Sequence, residues 1–522
     1  MLAAPAAGRP CFPTASPFTF SHRGPKPRRL SAASSSHGGV RYWSAEEIAS
    51  AAGGEVVAWG PPGPISHDTR TLQPGQWFLA IAGENFDGHD FVGRDLEEAG
   101  CVGVLGNRVG AGWRKGFVRV EGDTLVALER MAGHARSGHR GGVVAVTGSA
   151  GKTTTTAMAA RALQGLGRVY KTPGNWNNRI GVALTLAGLP EDADVAVVEL
   201  GTRGKGRLQY LARLVRPTVR VVLKVGFSHT EFLGSLQGVA EAKGELLSEA
   251  SPGDICVLNA DDPLVMGIPT PPCVEKVTFG QTSGCDVRLV HAETADGGRA
   301  VRIILENTIS MQNQKIHQPG NINEMVEFKI QIPGVHNAMN ACAAAAIAIS
   351  LGVSLKQVGD SLSRFSPVSM RCQTELTESG IRIIDDTYNA NPNSMTAAIN
   401  TLKSVDSAGK KVIILADMYE LGALEVEAHE AILNLCCSSC FDLVAVGGPR
   451  FTAAAENLNL SWKNHFICEL DPQTLALKVA EMLSAGDLVL VKGARQMEME
   501  RVVDAIKVRS QQQTDITLMK PT

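Results

Sequence analysis

A run of small and β-branched residues, Val143–Thr147, passes without a break into Gly148-Ser149-Ala150-Gly151-Lys152-Thr153-Thr154 and then into a helix-compatible stretch, Thr155–Leu163. No other segment limits the fold so tightly. A strand that ends in glycines, a lysine and hydroxyls and then turns into a helix reads as the phosphate-binding corner of a parallel α/β sheet. The glycines let backbone N–H groups face a bound anion, and the helix N-terminus adds positive potential. Lys152 brings a point charge to the β- and γ-phosphates and the Thr153 hydroxyl can hold magnesium, so ATP and Mg2+ are the expected cofactors. The longer GxxxxGK[ST] spacing is not met, because Val146 stands where its first glycine belongs.

At roughly 150 residues per domain, a chain of 522 residues holds three or four domains. Its 44% hydrophobic residues supply a core to each, and its 54 glycines suit many tight strand-helix turns. We divide it into a leader over residues 1–40, an N-terminal α/β domain over 41–137, a central P-loop domain over 138–367 and a C-terminal domain over 368–522. The fold class is α/β throughout. In the N-terminal part, Gln76–Ile81 and Val102–Leu105 read as strands, and the basic, Gly-rich stretch 133–142 reads as a linker. In the centre, Val195–Leu200, Val219–Val225 and Ile255–Leu258 alternate with helical patterns, as parallel βαβ units do. Period-two stretches between Asp286 and Ile332 point to an antiparallel patch, with the segment 307–323 inserted in it. After Pro367, runs at Ile381–Ile384, Val412–Leu415, Leu443–Val446 and Leu488–Val491 describe a second, Rossmann-like doubly wound unit.

Fifty basic against 52 acidic residues leave a net charge of -2, which gives no global field for nucleic acid or anionic lipid. The longest weakly polar stretch, Ala341–Val353, is too short to span a membrane. Eleven cysteines at irregular spacing favour reduced thiols, and Cys436, Cys437 and Cys440 read as part of a helix leading into the strand Phe441–Val446. No Asp or Glu precedes Glu46, while Arg9, Arg23, Lys26, Arg28, Arg29 and Arg41 are scattered among Ser, Ala and Pro. That is the composition of a disordered organelle transit peptide. Its prolines disfavour a long amphipathic helix, so the chloroplast stroma is expected ahead of the mitochondrion.

Three further residues stand near the phosphate corner in the order of the chain. Glu199 ends the strand after the corner and should emerge at the carboxyl edge of the sheet, where a carboxylate can hold a phosphate-bridging magnesium. His229 follows the next strand, and Lys243 lies on the helix after it. Taken alone, a loop histidine and a helix lysine are ordinary. The residues therefore point to an ATP-dependent enzyme and stop short of the acceptor.

Longer patterns extend the reading. Ser66-His67-Asp68-Thr69-Arg70 and Phe86-Asp87-Gly88-His89-Asp90-Phe91 lie in the first domain. The centre carries TGxxGKT at Thr147–Thr153, GNxNNxIG at Gly174–Gly181, ELG at Glu199–Gly201 and GxHNxxN at Gly334–Asn340. The last domain carries DDxYNANPxSM at Asp385–Met395, ADMxELG at Ala416–Gly422 and VKGxR at Val491–Arg495. From Trp43 to the C-terminus the chain resembles the Mur ligases, and most of all the type that adds D-alanyl-D-alanine to UDP-N-acetylmuramoyl-tripeptide.

The resemblance implies these two partners, a monomer, and a mechanism in which ATP phosphorylates the terminal carboxylate of the tripeptide. The amine of D-alanyl-D-alanine then attacks the acyl phosphate, and a tetrahedral intermediate releases phosphate. It implies catalytic roles for Lys152, His229 and Lys243, with Lys243 where sister ligases carry a carbamoylated lysine. Thr153 and Glu199 would bind a first magnesium, and His229 and Lys243 a second. His336, Asn337 and Asn340 would meet the adenine, Arg371 and Asp386 would reach the nucleotide from the last domain, and Asp68, Arg70, Asn175, Asn178, Asn389 and Asn391 would meet the substrates.

The sequence departs from the family pattern in places. Lys224 stands where Asn usually precedes the histidine, which would put a cation near the metals. Arg207 replaces an acidic residue, Ala416 and Ala494 stand where Gly and Ser are common, and the 307–323 insertion has no derived role. Two other readings share these features: a non-catalytic plastid protein keeping the fold as a structural or regulatory partner, and a folate polyglutamate ligase. The second gives no reason for the UDP-type first domain.

Overall fold

The computed structural model describes residues 39–83, 85–309, 324–460 and 465–518. The leader expected over 1–40 therefore lies almost wholly outside the described residues, as does most of the 307–323 insertion. Among the described residues, three sheets follow one another along the chain. The first is formed by β1 (Glu55–Ala58), β2 (Ile65–Ser66), β3 (Trp77–Leu79), β4 (Gly103–Gly106) and β5 (Gly116–Arg119), in the order β1-β5-β4-β3-β2. Only the β1–β5 pair is antiparallel.

The central sheet comprises β6 (Gly142–Thr147), β7 (Val169–Lys171), β8 (Val195–Glu199), β9 (Val219–Val222), β10 (Ile255–Asn259), β11 (Glu275–Gly280), β12 (Val287–Ala295), β13 (Ala300–Asn307) and β14 (Glu324–Ile330). Their order, β14-β13-β12-β11-β10-β9-β6-β8-β7, puts β6 between β8 and β9. Strands β7 to β12 run parallel, and β12, β13 and β14 form the antiparallel patch. Helices cover both faces, so β6, β8 and β9 are buried along nearly their whole length rather than alternating. On one face, the Ala-rich helix Asn337–Ser350 packs with the helix Lys152–Ala162 against Val144, Val146 and Val221.

The last sheet holds β15 (Gln373–Leu376), β16 (Arg382–Asp385), β17 (Lys411–Ala416), β18 (Leu443–Gly447), β19 (Phe466–Glu469) and β20 (Leu488–Lys492), in the order β15-β16-β20-β17-β18-β19. It is parallel except at β15–β16.

Two sequence expectations need correction. The stretch 133–142 is not a linker: residues 133–138 are the last turns of the helix Thr124–Gly138, and β6 begins at Gly142. Ala132 and Ala135 are buried, and Arg136 donates to the carbonyls of Val215 and Arg216 at 2.6 and 2.7 Å. These tertiary contacts hold a helix that its glycines alone would weaken. One apolar cluster joins Trp43, Leu128 and Met131 of the first domain to Val143, Val182 and Leu186 of the second. The strand expected over Val219–Val225 also stops early, at Val222. Lys224 lies beyond it with its side chain exposed, while its carbonyl accepts from Ser149 N at 2.8 Å.

Candidate functional site

β6 is the switch point of the central sheet, with chain crossing to β8 on one side and β9 on the other, so the loops after these three strands open into one crevice. The phosphate loop after β6 is built tightly. Gly151 takes φ +83°, and a Cβ there would meet Asn340 Oδ1 at 2.4 Å, so only glycine fits. The Ser149 hydroxyl donates to Gly226 O at 3.0 Å and receives Gly226 N at 2.9 Å, which locks the loop to the segment after β9. Lys152 folds back onto Gly148 O at 2.8 Å. Burial lowers the affinity of its amine for a proton, Glu199 opposes that, and Arg371 adds to it.

Glu199 emerges at the end of β8, as the strand-edge rule requires, and is only 1% exposed. Its Oε1 accepts from Asn177 Nδ2 at 2.6 Å, whereas Oε2 is buried with no hydrogen-bond partner among the described residues. An unpaired buried carboxylate oxygen suits a cation. His229 sits at the start of the short helix Thr230–Leu233 with φ +56°, and its Nδ1 pairs with the Glu420 carboxylate of the C-terminal domain. Burial lowers the pKa of its imidazole, and Glu420 partly restores it. Lys243 is buried on the helix Leu236–Ser248, and desolvation together with the nearby charge of Lys152 pushes its pKa well below that of a free lysine.

The C-terminal domain closes over this edge. Arg371 donates to Thr153 Oγ1 at 3.2 Å, with its guanidinium 4.0 Å from the centre of the Tyr388 ring. Asn391 caps the helix Pro392–Ser404 and donates to Ser149 O at 3.4 Å. Between the domains lies a cavity of about 910 Å3. Lys152, Arg179, Arg203, Arg207 and Arg371 line it against Glu199, its one lining carboxylate among the described residues. Such a wall attracts anions.

The cavity gathers Ser149, Ala150, Gly151, Lys152, Thr153, Thr154, Asn175, Asn178, Glu199, His229, Arg371, Asn389 and Asn391 from the sequence-derived set. The others lie off its wall. Asp68 and Arg70 form an exposed ion pair that holds the Asp68 carboxyl at a pKa of about 2, and their neighbour His67 lines the cavity instead. Asn340 Nδ2 donates to Asn337 Oδ1 at 2.9 Å, and Thr155 Oγ1 donates to Asn340 Oδ1 at 3.3 Å, so Asn340 fastens its helix to the phosphate-loop helix. His336 stands exposed at the start of that helix. Asp386 is buried and held by Lys492 Nζ at 2.6 Å. Lys224, expected to put a cation near the metals, has an exposed side chain, is absent from the cavity wall and makes no ion pair among the described residues.

Reading by motif missed Asn177, Trp176, Arg203, Tyr388 and Glu420. Asn177 and Trp176 stood inside the GNxNNxIG pattern and could have been taken from it. Asn178 instead caps the helix Arg179–Ala187, accepting from Gly181 N at 2.8 Å. Cys436 is buried while Cys437 and Cys440 are exposed, and no cluster of His, Cys, Asp and Glu suited to a metal occurs among the described residues.

Residues 146–348 match the Mur ligase middle domain, and residues 370–495 match the Mur ligase glutamate ligase domain. A UDP-N-acetylmuramoyl-tripeptide--D-alanyl-D-alanine ligase of Bacillus subtilis (strain 168) is 35% identical over 442 residues, spanning 84% of this chain and 92% of that protein. The chain belongs to the Mur ligase family. Among solved members, MurF of Acinetobacter baumannii superposes with a TM-score of 0.74 at 26% identity, covering 90% of this chain and 100% of that one. The MurF ligase of Thermotoga maritima, solved with ADP, does so at 0.69 and 26% identity, covering 86% and 98%.

Proposed function

We propose that the protein is an ATP-dependent ligase that joins D-alanyl-D-alanine to UDP-N-acetylmuramoyl-tripeptide through an acyl phosphate. The observation that carries this is the convergence of Lys152, Thr153, Glu199, His229 and Arg371 on one cavity that also reaches His67 of the first domain. A nucleotide on the phosphate loop places its γ-phosphoryl group beside Lys152 and Arg371, whose charges stabilise the transferring group. The tripeptide carboxylate takes that group, the dipeptide amine attacks the acyl carbon, and phosphate leaves. Closure of the C-terminal domain keeps water from the acyl phosphate.

The bare Glu199 oxygen, the Thr153 hydroxyl and the His229 imidazole would hold magnesium, which would supply positive charge to the phosphates. Burial and the charge of Lys152 disfavour the protonated form of Lys243, which favours the carbamoylation by carbon dioxide that a neutral lysine amine undergoes. The exposure of Lys224 and its absence from the cavity wall weaken the main argument for a non-catalytic role.

The assay is phosphate release with and without each substrate. Release that requires both UDP-tripeptide and D-alanyl-D-alanine is expected; release independent of the dipeptide would refute the reading. The acid-free, Arg- and Pro-bearing segment before Glu46 supports delivery to the chloroplast stroma. A fluorescent fusion of residues 1–40 should enter plastids, and cytosolic fluorescence would refute the address. Sedimentation should give a monomer.

A further inference from the structure

After β17 the C-terminal domain turns back at Glu420, with φ +65°, and Gly422, with φ +58°. The left-handed region is disfavoured for an L side chain and persists where the surroundings enforce it. Facing this turn is another left-handed residue, His229. Thr230 Oγ1 donates to Leu421 O at 3.0 Å and Glu231 N donates to Glu420 O at 3.3 Å. Gly422 is so close to Glu231 that a Cβ would lie 3.0 Å from its Cα.

Through this contact the Glu420 carboxylate reaches into the central domain. One oxygen takes His229 Nδ1 and the other takes Arg203 Nε at 3.2 Å. Arg203 follows Glu199 on the loop after β8, and His229 lies on the loop after β9. A single carboxylate from the C-terminal domain therefore ties together the loops after β8 and β9. An ionised Glu420 can only accept, so this contact favours the His229 tautomer with its proton on Nδ1 and its lone pair on Nε2.

We propose that Glu420 is a positioning residue through which closure of the C-terminal domain sets the ring and tautomer of His229 and draws Arg203 to the cavity rim. When the domains part, Glu420 leaves with its own domain and both groups lose the partner that orients them. The catalytic consequence rests on the ligase reading above; the orientation of His229 does not.

The test uses the full chain and the variants Glu420→Ala, Glu420→Gln and His229→Ala. Glu420→Ala should lower kcat by about 10–100-fold, the range for loss of an orienting partner, while ADP affinity stays within about twofold because the phosphate loop is untouched. Glu420→Gln, which keeps an acceptor for Nδ1–H, should recover part of that loss. Combined with His229→Ala, Glu420→Ala should add little, since both act through one imidazole. A kcat within about twofold of wild type in Glu420→Ala, or losses that multiply in the double variant, would overturn the proposal. A second readout needs no turnover: with ADP bound, 15N-histidine spectra should show His229 as the Nδ1–H tautomer, and Glu420→Ala should abolish that signature. An unchanged signature would overturn the proposal even in a protein inactive on the peptide substrates, whereas that inactivity alone would overturn only the ligase reading.

Discussion

Asn177 offers the sharpest test of how the site holds its carboxylate. Its amide donates to Glu199 Oε1 at 2.6 Å, and Glu199 is otherwise buried with a bare Oε2. A hydrogen bond to a charged group contributes about 1.5–3 kcal/mol, and its loss leaves that charge buried without compensation. Asn177→Leu removes the donor at similar volume. Taking ~2 kcal/mol with RT at about 0.59 kcal/mol, the expected loss in kcat/KM is roughly 30-fold. Asn177→Asp should be worse, because two carboxylates at about 3 Å cannot both stay ionised, and the shared proton neutralises the group the site needs. Initial rates of phosphate release at varied ATP give the first quantity, and the urea midpoint gives the accompanying loss of stability. Wild-type turnover with an unchanged midpoint in Asn177→Leu would refute the reasoning, as would a milder effect in Asn177→Asp than in Asn177→Leu.

Lys152→Ala should leave the urea midpoint near wild type and lower turnover by about 10³-fold or more, since no other amine on the loop can follow the phosphoryl group; phosphate release near the wild-type rate would remove Lys152 from its role. Lys224→Asn should change the magnesium dependence of turnover by less than about twofold, because an exposed charge is screened by water and salt; an inward lysine would instead give a shift of tenfold or more on the order expected for close unit charges. His429 is buried, receives Met418 N on Nε2 at 3.0 Å and donates from Nδ1 to Glu425 O at 2.6 Å, so protonation would set N–H against N–H. Burial lowers its pKa in the fold, so the unfolded chain takes up the proton first: its contribution to stability is complete above about pH 6.5 and is lost as pH falls toward the folded value. Urea midpoints from about pH 8 to pH 5 should fall less steeply for His429→Gln than for wild type, and parallel curves would contradict this.

What the sequence determined by itself is local. The apolar run of Val143–Thr147 and the glycines after it require a strand, a turn that bares N–H groups and a helix, and these interactions span a few residues of chain. The same holds for Glu199: a carboxylate closing a buried strand must emerge at the sheet edge, and it does. Tertiary structure decided the rest where distant contacts outweigh local preference. Gly133 and Gly138 look like breakers, yet the buried Ala135 and the bonds of Arg136 keep them helical. Asn177 and Asn178 are adjacent in one motif, but backbone direction sends one to Glu199 and the other to a helix cap. The lowered pKa of Lys243 depends on the desolvation that surrounding elements impose, which no window of sequence contains. Glu420 meets His229 across 191 positions of chain, because the segment after β17 docks on the segment after β9. Motif spacing specifies which groups are available; only the packing of domains decides which of them face one another, since that choice is made by summed burial and hydrogen bonding over surfaces far apart in the chain.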